Sequence, residues 1–482
     1  MIRRTKIVAT LGPATDEPKI IDELILAGVD MVRLNFSHGL PEDHMKRASM
    51  VRESAARQGR HVAIMGDLQG PKIRIDRFKD GSIVLEDGAP FILDAALGKD
   101  DGNQERVGLT YKQLVDDVRE GDTLLLDDGR IVFTVEKIVG SEIHCTTAVG
   151  GTLSNNKGIN RQGGGLSAPA ITAKDRADIK TAAEIGVDYI AVSFPRSAAD
   201  MHEARELLRA AGCDAGLVAK IERAEAVLAI DEIIEASDVI MIARGDLGVE
   251  IGDAELPAAQ KLFISKARLA KRAVITATQM METMITNPIP TRAEVFDVAN
   301  AVLDGTDAVM LSGETAAGKF PIKVVQAMAH ICARAESQIQ SKMHVPPVDM
   351  HFERVDETIA MSAMYAANHM AVTAIIALTE SGSTALWMSR VNSSIPIYAL
   401  TRREATARRV AVYRGVVPVF FQYETTDHAE VNRMAVHALS KEKTLHSDDL
   451  VIITKGDLVG KMGGTNAMKI MRVGDGFLPG TE

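Results

Sequence analysis

Short apolar, β-branched runs punctuate the chain, each followed by a helix-like stretch: KIVAT, MVRLN, VAIMGDL, YIAVSF, GLVAKIE, VIMIARGD, AVITATQ and AVMLSGE. Near-continuous apolar runs, rather than alternating ones, describe parallel strands covered by helices. Eight such units predict a closed (β/α)8 barrel, with an open doubly wound sheet as the alternative. The rhythm breaks between Asp67 and Tyr189. From Pro71 to Leu166 short strands alternate with Gly and Asp-Gly turns (KDGSIVLEDGAP, EGDTLLLDDGRIVFTVEKIVGSEIHCTTAVGG), which predicts a small antiparallel β domain inserted after the third barrel strand. After AESQIQSKMHVPPVDMHFE, with a boundary near Val345 to Pro347, a further set of strands and helices (VTAIIALT, IPIYALT, LVIIT) predicts a third, α/β domain. The expected division is 1–70 with 167–344, 71–166, and 345–482.

A length of 482 residues suits several domains, and 46% hydrophobic with 25% charged residues excludes a disordered or fibrous chain. The net charge of −10, without a basic block, argues against nucleic acid as a partner. Cys145, Cys213 and Cys332 are too scattered for a zinc site or a disulfide framework and fit a reducing cytoplasm. The twin arginine at the start precedes an apolar run that ends at Gly12-Pro13, too short for a signal peptide, and no stretch predicts a membrane span.

In a barrel of this kind, chemistry collects where the strands end. Six of the eight tips carry polar residues: Arg33, Asn35 and Ser37; Asp67; Lys220 and Glu222; Arg244, Gly245 and Asp246; Thr278 and Gln279; Ser312 and Glu314. Alternation along a strand sends Lys220 and Glu222 to one side, and likewise Arg33 and Asn35. Alone, the Lys220–Glu222 pair is equally well read as a salt bridge capping a strand. Glu222 and Asp246, on neighbouring strands with no Cys or His beside them, suit Mg²⁺, which takes few protein oxygens. Arg33 and Lys220 beside such a metal form a cage for a phosphoryl group, whose transfer depends on charge neutralisation and positioning. The glycine turn in ARGDLGVE offers amides for a substrate carboxylate. Other motifs read as structure: Thr291 with Glu294 as a capping box, Met280, Met281, Met284 and Met310 as core, His38 as a turn residue.

RLNFSHG, DLQGPKIR, VAKIERAEA, IMIARGDLGVE, TATQMMETM and PTRAEVFDVANAVLDGTDAVMLSGETAAGKFP, in this order and around an insertion, resemble pyruvate kinase, with a similarity running from TKIVATLGPAT to the last residues. The resemblance implies a TIM barrel with an inserted antiparallel β-barrel lid and a C-terminal α/β regulatory domain. It implies transfer of the phosphoryl group of phosphoenolpyruvate to ADP in the last step of glycolysis, in a cytoplasmic homotetramer. Arg33 then holds the phosphate, Glu222 and Asp246 hold Mg²⁺ or Mn²⁺, and Lys220 stabilises the phosphoryl in flight and the enolate. The substrate carboxylate rests on Gly245 and Asp246, with Thr278 close to the carbon that is protonated and Ser312 and Glu314 on a proton path. Arg74, Lys174 and Asn35 match nucleotide-site positions. Asn35, Ser37, Asp67 and the Leu68 carbonyl match the ligands of a monovalent cation, yet Lys72 stands where potassium-requiring members carry glutamate. A fixed positive charge there predicts that potassium is dispensable.

LTESGSTA resembles the family's effector loop, with Thr379, Ser381, Gly382, Ser383 and Thr384 as contacts for a phosphorylated sugar or nucleotide monophosphate; a capped turn is the structural alternative. GKMGGTNAMKIMRVG is expected over the same site. Two other readings of the barrel stay open at this stage, a lyase or mutase acting on the same enolate and a non-catalytic phosphoenolpyruvate sensor. The retained Lys220, both metal carboxylates and Thr278 speak against the sensor.

Overall fold

The computed structural model describes residues 2–339, 352–441, 444–457 and 462–474. The boundary expected at Val345 to Pro347, and Gly460 and Lys461 of the C-terminal motif, lie outside the described residues.

All eight apolar runs are strands of one closed parallel barrel: Lys6–Thr10, Met31–Asn35, Ala63–Asp67, Tyr189–Val192, Gly216–Ile221, Val239–Ala243, Ala273–Ala277 and Ala308–Leu311. The open-sheet alternative is thereby excluded. Their side chains divide into two apolar layers. One points outward against the helices and includes Ile7, Leu34, Ile64, Ile190, Leu217, Ile240, Val274 and Val309. The other fills the bore with Val8, Met31, Met65, Tyr189, Val218, Met241, Ile275 and Met310. Each fully buried Ile or Leu of the outer layer contributes about 1.5–3 kcal/mol relative to exposure, which ties the helices to this wall.

A repeated device closes the lower end of the barrel. Asp30, Asp188, Asp238 and Asp307 each precede an even-numbered strand, and each carboxylate accepts the backbone N–H at the start of the preceding odd-numbered strand: Ile7 (2.9 Å), Ile64 (2.9 Å), Leu217 (2.7 Å) and Val274 (2.9 Å). Buried donors that the parallel ladder leaves unpaired at its edge are satisfied this way. The C-terminal domain docks on the same end. Arg408 reaches Asp188 (2.8 Å), Arg390 pairs with Asp307, and Lys6 Nζ donates to Val416 O (2.6 Å).

The insertion follows the third strand as predicted. It forms a six-stranded sheet and a two-stranded ribbon, Ser82–Leu85 with Gly151–Ser154, around its own core of Ile75, Phe91, Leu93, Leu124, Phe133 and Ile143. Its pairs are antiparallel except for Pro90–Asp94 with Arg106–Gly108, which run parallel because the chain makes a long return between them. The C-terminal unit is a five-stranded sheet, parallel except for its last strand, Thr465–Arg472. Thr291 and Glu294 form the expected capping box, and Met280, Met281, Met284 and Met310 are buried.

Candidate active site

The bore changes character from bottom to top. Reading every second residue upward, apolar side chains give way to polar ones: Met31, Arg33, Asn35; Met65, Asp67; Ala191, Ser193; Val218, Lys220, Glu222; Met241, Ala243. Arg33, Asn35, Ser193, Lys220 and Glu222 line one cleft at the carboxyl end of the strands, together with Ser37, His38, Gln69, Lys72, Arg74, Asp246 and Thr278, while Asp67 is buried behind them. Strand parity alone sorts these residues inward, which is why charged side chains on buried strands are tolerated.

Lys220 is the hub. Its ammonium donates to Ser193 Oγ (2.7 Å) and lies 3.0 Å from Glu222 Oε1 and 3.4 Å from Asp67 Oδ1. Burial works against the charged lysine, but the Asp67 and Glu222 carboxylates outweigh it and hold the pKa above its usual value. Arg33 Nε donates to Asp67 Oδ2 at 2.6 Å, and its Nη1 reaches Thr10 Oγ1 at 3.2 Å. Burial alone would raise the Asp67 pKa, yet Lys220 and Arg33 together pull it below its ordinary value.

Glu222 has the opposite balance. Its pKa is pushed up to about 7, first by burial and then by the charges of Asp246 and Asp67, against the pull of Lys220. Glu222 Oε2 accepts the Phe194 N–H (2.9 Å), while the Asp246 carboxylate has no ion pair or side-chain hydrogen bond among the described residues. Two acids held together with too little counter-charge are what a cation site requires. No cluster of three or more His, Cys, Asp or Glu with metal spacing occurs among the described residues. Two carboxylate ligands, the rest of the shell being left to substrate and water, fit Mg²⁺ or Mn²⁺.

Asp246 rides on the first turn of helix Arg244–Ile251, which starts directly from the sixth strand, so a helix N-terminus faces the cleft. The Gly245 N–H donates to Thr278 Oγ1 (2.9 Å), whose own proton goes to Ala277 O (2.7 Å). The amide expected to hold a carboxylate is therefore engaged by Thr278. Thr278 and Gln279 adopt left-handed backbone (φ 66° and 54°), an uncommon state for a β-branched residue. Arg244 fixes that turn rather than entering the cleft: it donates to Thr278 O (2.7 Å) and holds Asp297 with two bonds (2.6 and 2.7 Å). Glu314 accepts the N–H groups of Ser312 (2.6 Å) and Met281 (3.3 Å), and burial raises its pKa. Ser312 Oγ is buried with no hydrogen-bond partner among the described residues.

Around the monovalent-cation positions, Asn35 Oδ1 accepts the Ser37 N–H (3.1 Å), Leu68 O accepts the Ser193 hydroxyl (2.7 Å), and buried Asp67 Oδ1 has the Lys220 ion pair at 3.4 Å but no hydrogen-bond donor among the described residues. Lys72 lines the cleft and also a second cavity, between barrel and insertion, that includes Arg74, Asp127, Asn156, Asn160, Arg223 and Glu250. Arg74 Nη1 donates to Asn156 O (2.7 Å) within the insertion, and the side chain lines the seam cavity opposite Arg223, Asp246 and Glu250 of the barrel. Lys174 lines neither cavity; its exposed ammonium is bound to Phe36 O and Asp178 (both 2.6 Å).

The sequence reading passed over Ser193, Phe194, Arg223 and Glu250. Ser193 was readable by parity, two residues after inward-facing Ala191. Arg223 and Glu250 act across the domain seam, Arg223 on Leu166 O (3.1 Å) and Glu250 on Asn160 (3.4 Å), and no local pattern announces such contacts.

Known proteins were compared with this chain. The family described as "Pyruvate kinase, barrel domain" matches residues 2–325, and "Pyruvate kinase, alpha/beta domain" matches residues 357–471. Pyruvate kinase II of Salmonella typhimurium is 58% identical over 476 residues, 98% of this chain and 99% of its own. Pyruvate kinase of Haemophilus influenzae is 56% identical over 459 residues, 94% and 96% of the two chains. That of Geobacillus stearothermophilus is 43% identical over 487 residues, 98% of this chain and 81% of its own. The chain belongs to the pyruvate kinase family.

The C-terminal domain of this pyruvate kinase family member has a further cavity, lined by Thr379, Glu380, Ser381, Ser383, Thr384, Arg402, Tyr423, His428, Lys455 and Thr465. Four of the five expected effector residues line it. Gly382 instead makes the turn behind them: its φ is +85°, its N–H donates to Thr379 Oγ1 (2.9 Å), and a Cβ there would meet Val410 Cγ1 at 2.5 Å. Glu380, unremarked in the sequence, pairs with both Arg402 (2.6 Å) and Arg403 (3.3 Å), so one carboxylate is shared between two guanidinium groups.

Proposed function

We propose that the barrel mouth transfers the phosphoryl group of phosphoenolpyruvate to ADP with Lys220 as its central charge. The P–O bond to the enol oxygen breaks, a β-phosphate oxygen of ADP forms the new one, and the enolate takes a proton at carbon to give pyruvate. The observation that supports this reading most is the buried Lys220 ammonium, held by Ser193, Glu222 and Asp67 within one cleft. It offers a fixed positive charge where negative charge develops, in a site of low dielectric, the usual source of the largest rate effect.

Arg33, anchored on Asp67, presents its outer guanidinium edge to the phosphate. Thr278 stands beside the Gly245 amide, and exchanging its hydroxyl from Gly245 to substrate frees that amide for the carboxylate. Glu222 and Asp246 would hold Mg²⁺, which supplies further neutralisation of the phosphoryl and enolate oxygens when bound. Arg74 takes nucleotide phosphate at the domain seam, and the insertion closes over it and excludes water. Lys174 joins only if the bonds to Phe36 and Asp178 are given up. A coupled assay with phosphoenolpyruvate and ADP, with and without Mg²⁺, tests the reading; absence of ADP-dependent pyruvate formation overturns it.

Potassium is proposed to be dispensable. Lys72 lies in the cleft with Asn35 and Ser37 and makes no ion pair among the described residues, so its charge is uncompensated. Turnover should persist in buffer free of sodium and potassium, and Lys72→Glu should make it potassium-dependent; collapse of wild-type turnover that potassium restores would refute this.

The C-terminal cavity is proposed to bind an activating phosphorylated sugar or nucleotide monophosphate through Ser381, Ser383 and Thr384, with Lys455 as counter-charge. Ser383→Asp places a carboxylate against the phosphate and should abolish the drop in half-saturating phosphoenolpyruvate that the activator produces in wild type. An unchanged response in that variant counts against the site. Assembly as a homotetramer and residence in the cytoplasm are proposed on family membership. Among the described residues no helix is long and apolar enough to cross a membrane, and light scattering at micromolar concentration measures the assembly.

A further inference from the structure

Ser193 closes the inward face of the fourth strand, 1% exposed, and the scheme above uses its contact with Lys220 without saying what the hydroxyl does there. Its hydroxyl carries one proton. Leu68 O, 2.7 Å away, can only accept, so the proton is committed there and the lone pairs are left for Lys220 Nζ, also at 2.7 Å. The direction of both bonds is thereby fixed. The side chain is also wedged: at Gly70, where φ is +66°, an added Cβ would meet Ser193 Cβ at 2.8 Å and Ser193 O at 3.1 Å. Phe194, the next residue, turns away at φ +55° while its N–H holds Glu222 Oε2.

We propose that Ser193 is the positioning residue for Lys220. The ammonium has three oxygens around it: Ser193 Oγ, to which it donates a hydrogen bond, and Glu222 Oε1 and Asp67 Oδ1, with which it forms ion pairs at 3.0 and 3.4 Å. Two of these oxygens belong to anions, whose lone pairs cations and Arg33 also claim. The third is neutral and already fixed by Leu68. As the carboxylates turn to other charges, Ser193 keeps the ammonium at the mouth and the released protons face the incoming phosphoryl oxygens. Loss of this hydroxyl leaves substrate binding largely in place and misdirects the charge at the moment of transfer. The inference rests on Lys220 as the charge-stabilising group.

Ser193→Ala should lower kcat by about 10- to 100-fold while KM for phosphoenolpyruvate stays within about twofold, the split expected of an interaction that matters in the transition state. A thermal-unfolding cycle without substrate or metal gives a second readout. The fall in Tm caused by Ser193→Ala should shrink when Lys220 is already methionine, because the ammonium left without its acceptor is gone. If Ser193→Ala does not fold, Ser193→Cys, which keeps the shape and weakens both hydrogen bonds, is read in the same two ways. A kcat within twofold of wild type, a loss expressed mainly in KM, or an equal fall in Tm on both backgrounds would overturn the proposal. Wild-type turnover in the same assay tests the phosphoryl-transfer reading separately.

Discussion

Lys220→Met will leave the chain folded and able to bind a divalent cation, and will lower kcat by about 10³-fold or more. The size follows from the charges around the reacting group. Arg33, the other cation on the bore at this level, spends its Nε on Asp67 at 2.6 Å. Lys220 is the one positive side chain placed among Asp67, Glu222 and Ser193, and methionine matches its length without its charge. Folding should survive because the centre can shed charge in response: burial with Asp246 and Asp67 already pushes the Glu222 pKa up to about 7, and losing the lysine removes the opposing pull. A protonated Glu222 costs little in that environment. Cation binding should survive because the change deletes a positive group 3.0 Å from Glu222. Circular dichroism, Mn²⁺ titration by electron paramagnetic resonance at pH 8, and a coupled assay measure the three properties. A variant within tenfold of wild-type kcat would remove Lys220 from the chemistry.

Local pattern carried most of the architecture, and the reason is visible in particular residues. Each barrel strand is a contiguous apolar run that pairs with the strands before and after it in chain order, so only the closure of the first strand on the eighth and the pairing of the third with the fourth across the insertion needed long-range contacts. Six polar strand ends stood out against those runs, and strand parity brought Arg33, Lys220 and Glu222 into one cleft, with Asp67 paired to the first two behind it. Legibility stopped where a role depends on a partner far along the chain. Arg244 reads as a cleft residue, yet Asp297, fifty-three positions on, turns it into a clamp for the Thr278 turn. Lys174 reads as a phosphate ligand, but its ammonium finds Phe36 O and Asp178. Gly245 offered a free amide on paper, and Thr278 uses it. Ser193 escaped because a single serine at the end of an apolar run carries no charge to draw attention. Its bonds to Leu68 and Lys220 exist only when three strands close side by side. The four aspartates beneath the barrel were readable as a repeat, and what they bond to was not.

Asp246→Asn will raise the Mg²⁺ needed for half-maximal activity by about 100-fold or more, since losing even an outer-shell partner costs metal sites 10- to 100-fold. The same variant should move the pH at which metal binding fails. In the wild type a proton and the divalent cation compete for Glu222, so below about pH 7 affinity should fall by about tenfold per pH unit. Burial raises that pKa first and the Asp246 charge second, so an uncharged residue at 246 lets Glu222 ionise at lower pH and shifts the knee to the acid side. Stability without metal changes in the opposite sense. An acid whose folded pKa is raised keeps a proton that the unfolded chain has released, so stability falls as pH rises from the ordinary glutamate value to about 7 and is level above it. Mn²⁺ binding measured from pH 5.5 to 8.5, beside metal-free melting over the same range, separates the two trends. Half-saturation within threefold of wild type, or a knee that does not move, would detach Asp246 from the cation and leave Glu222 raised by burial and Asp67.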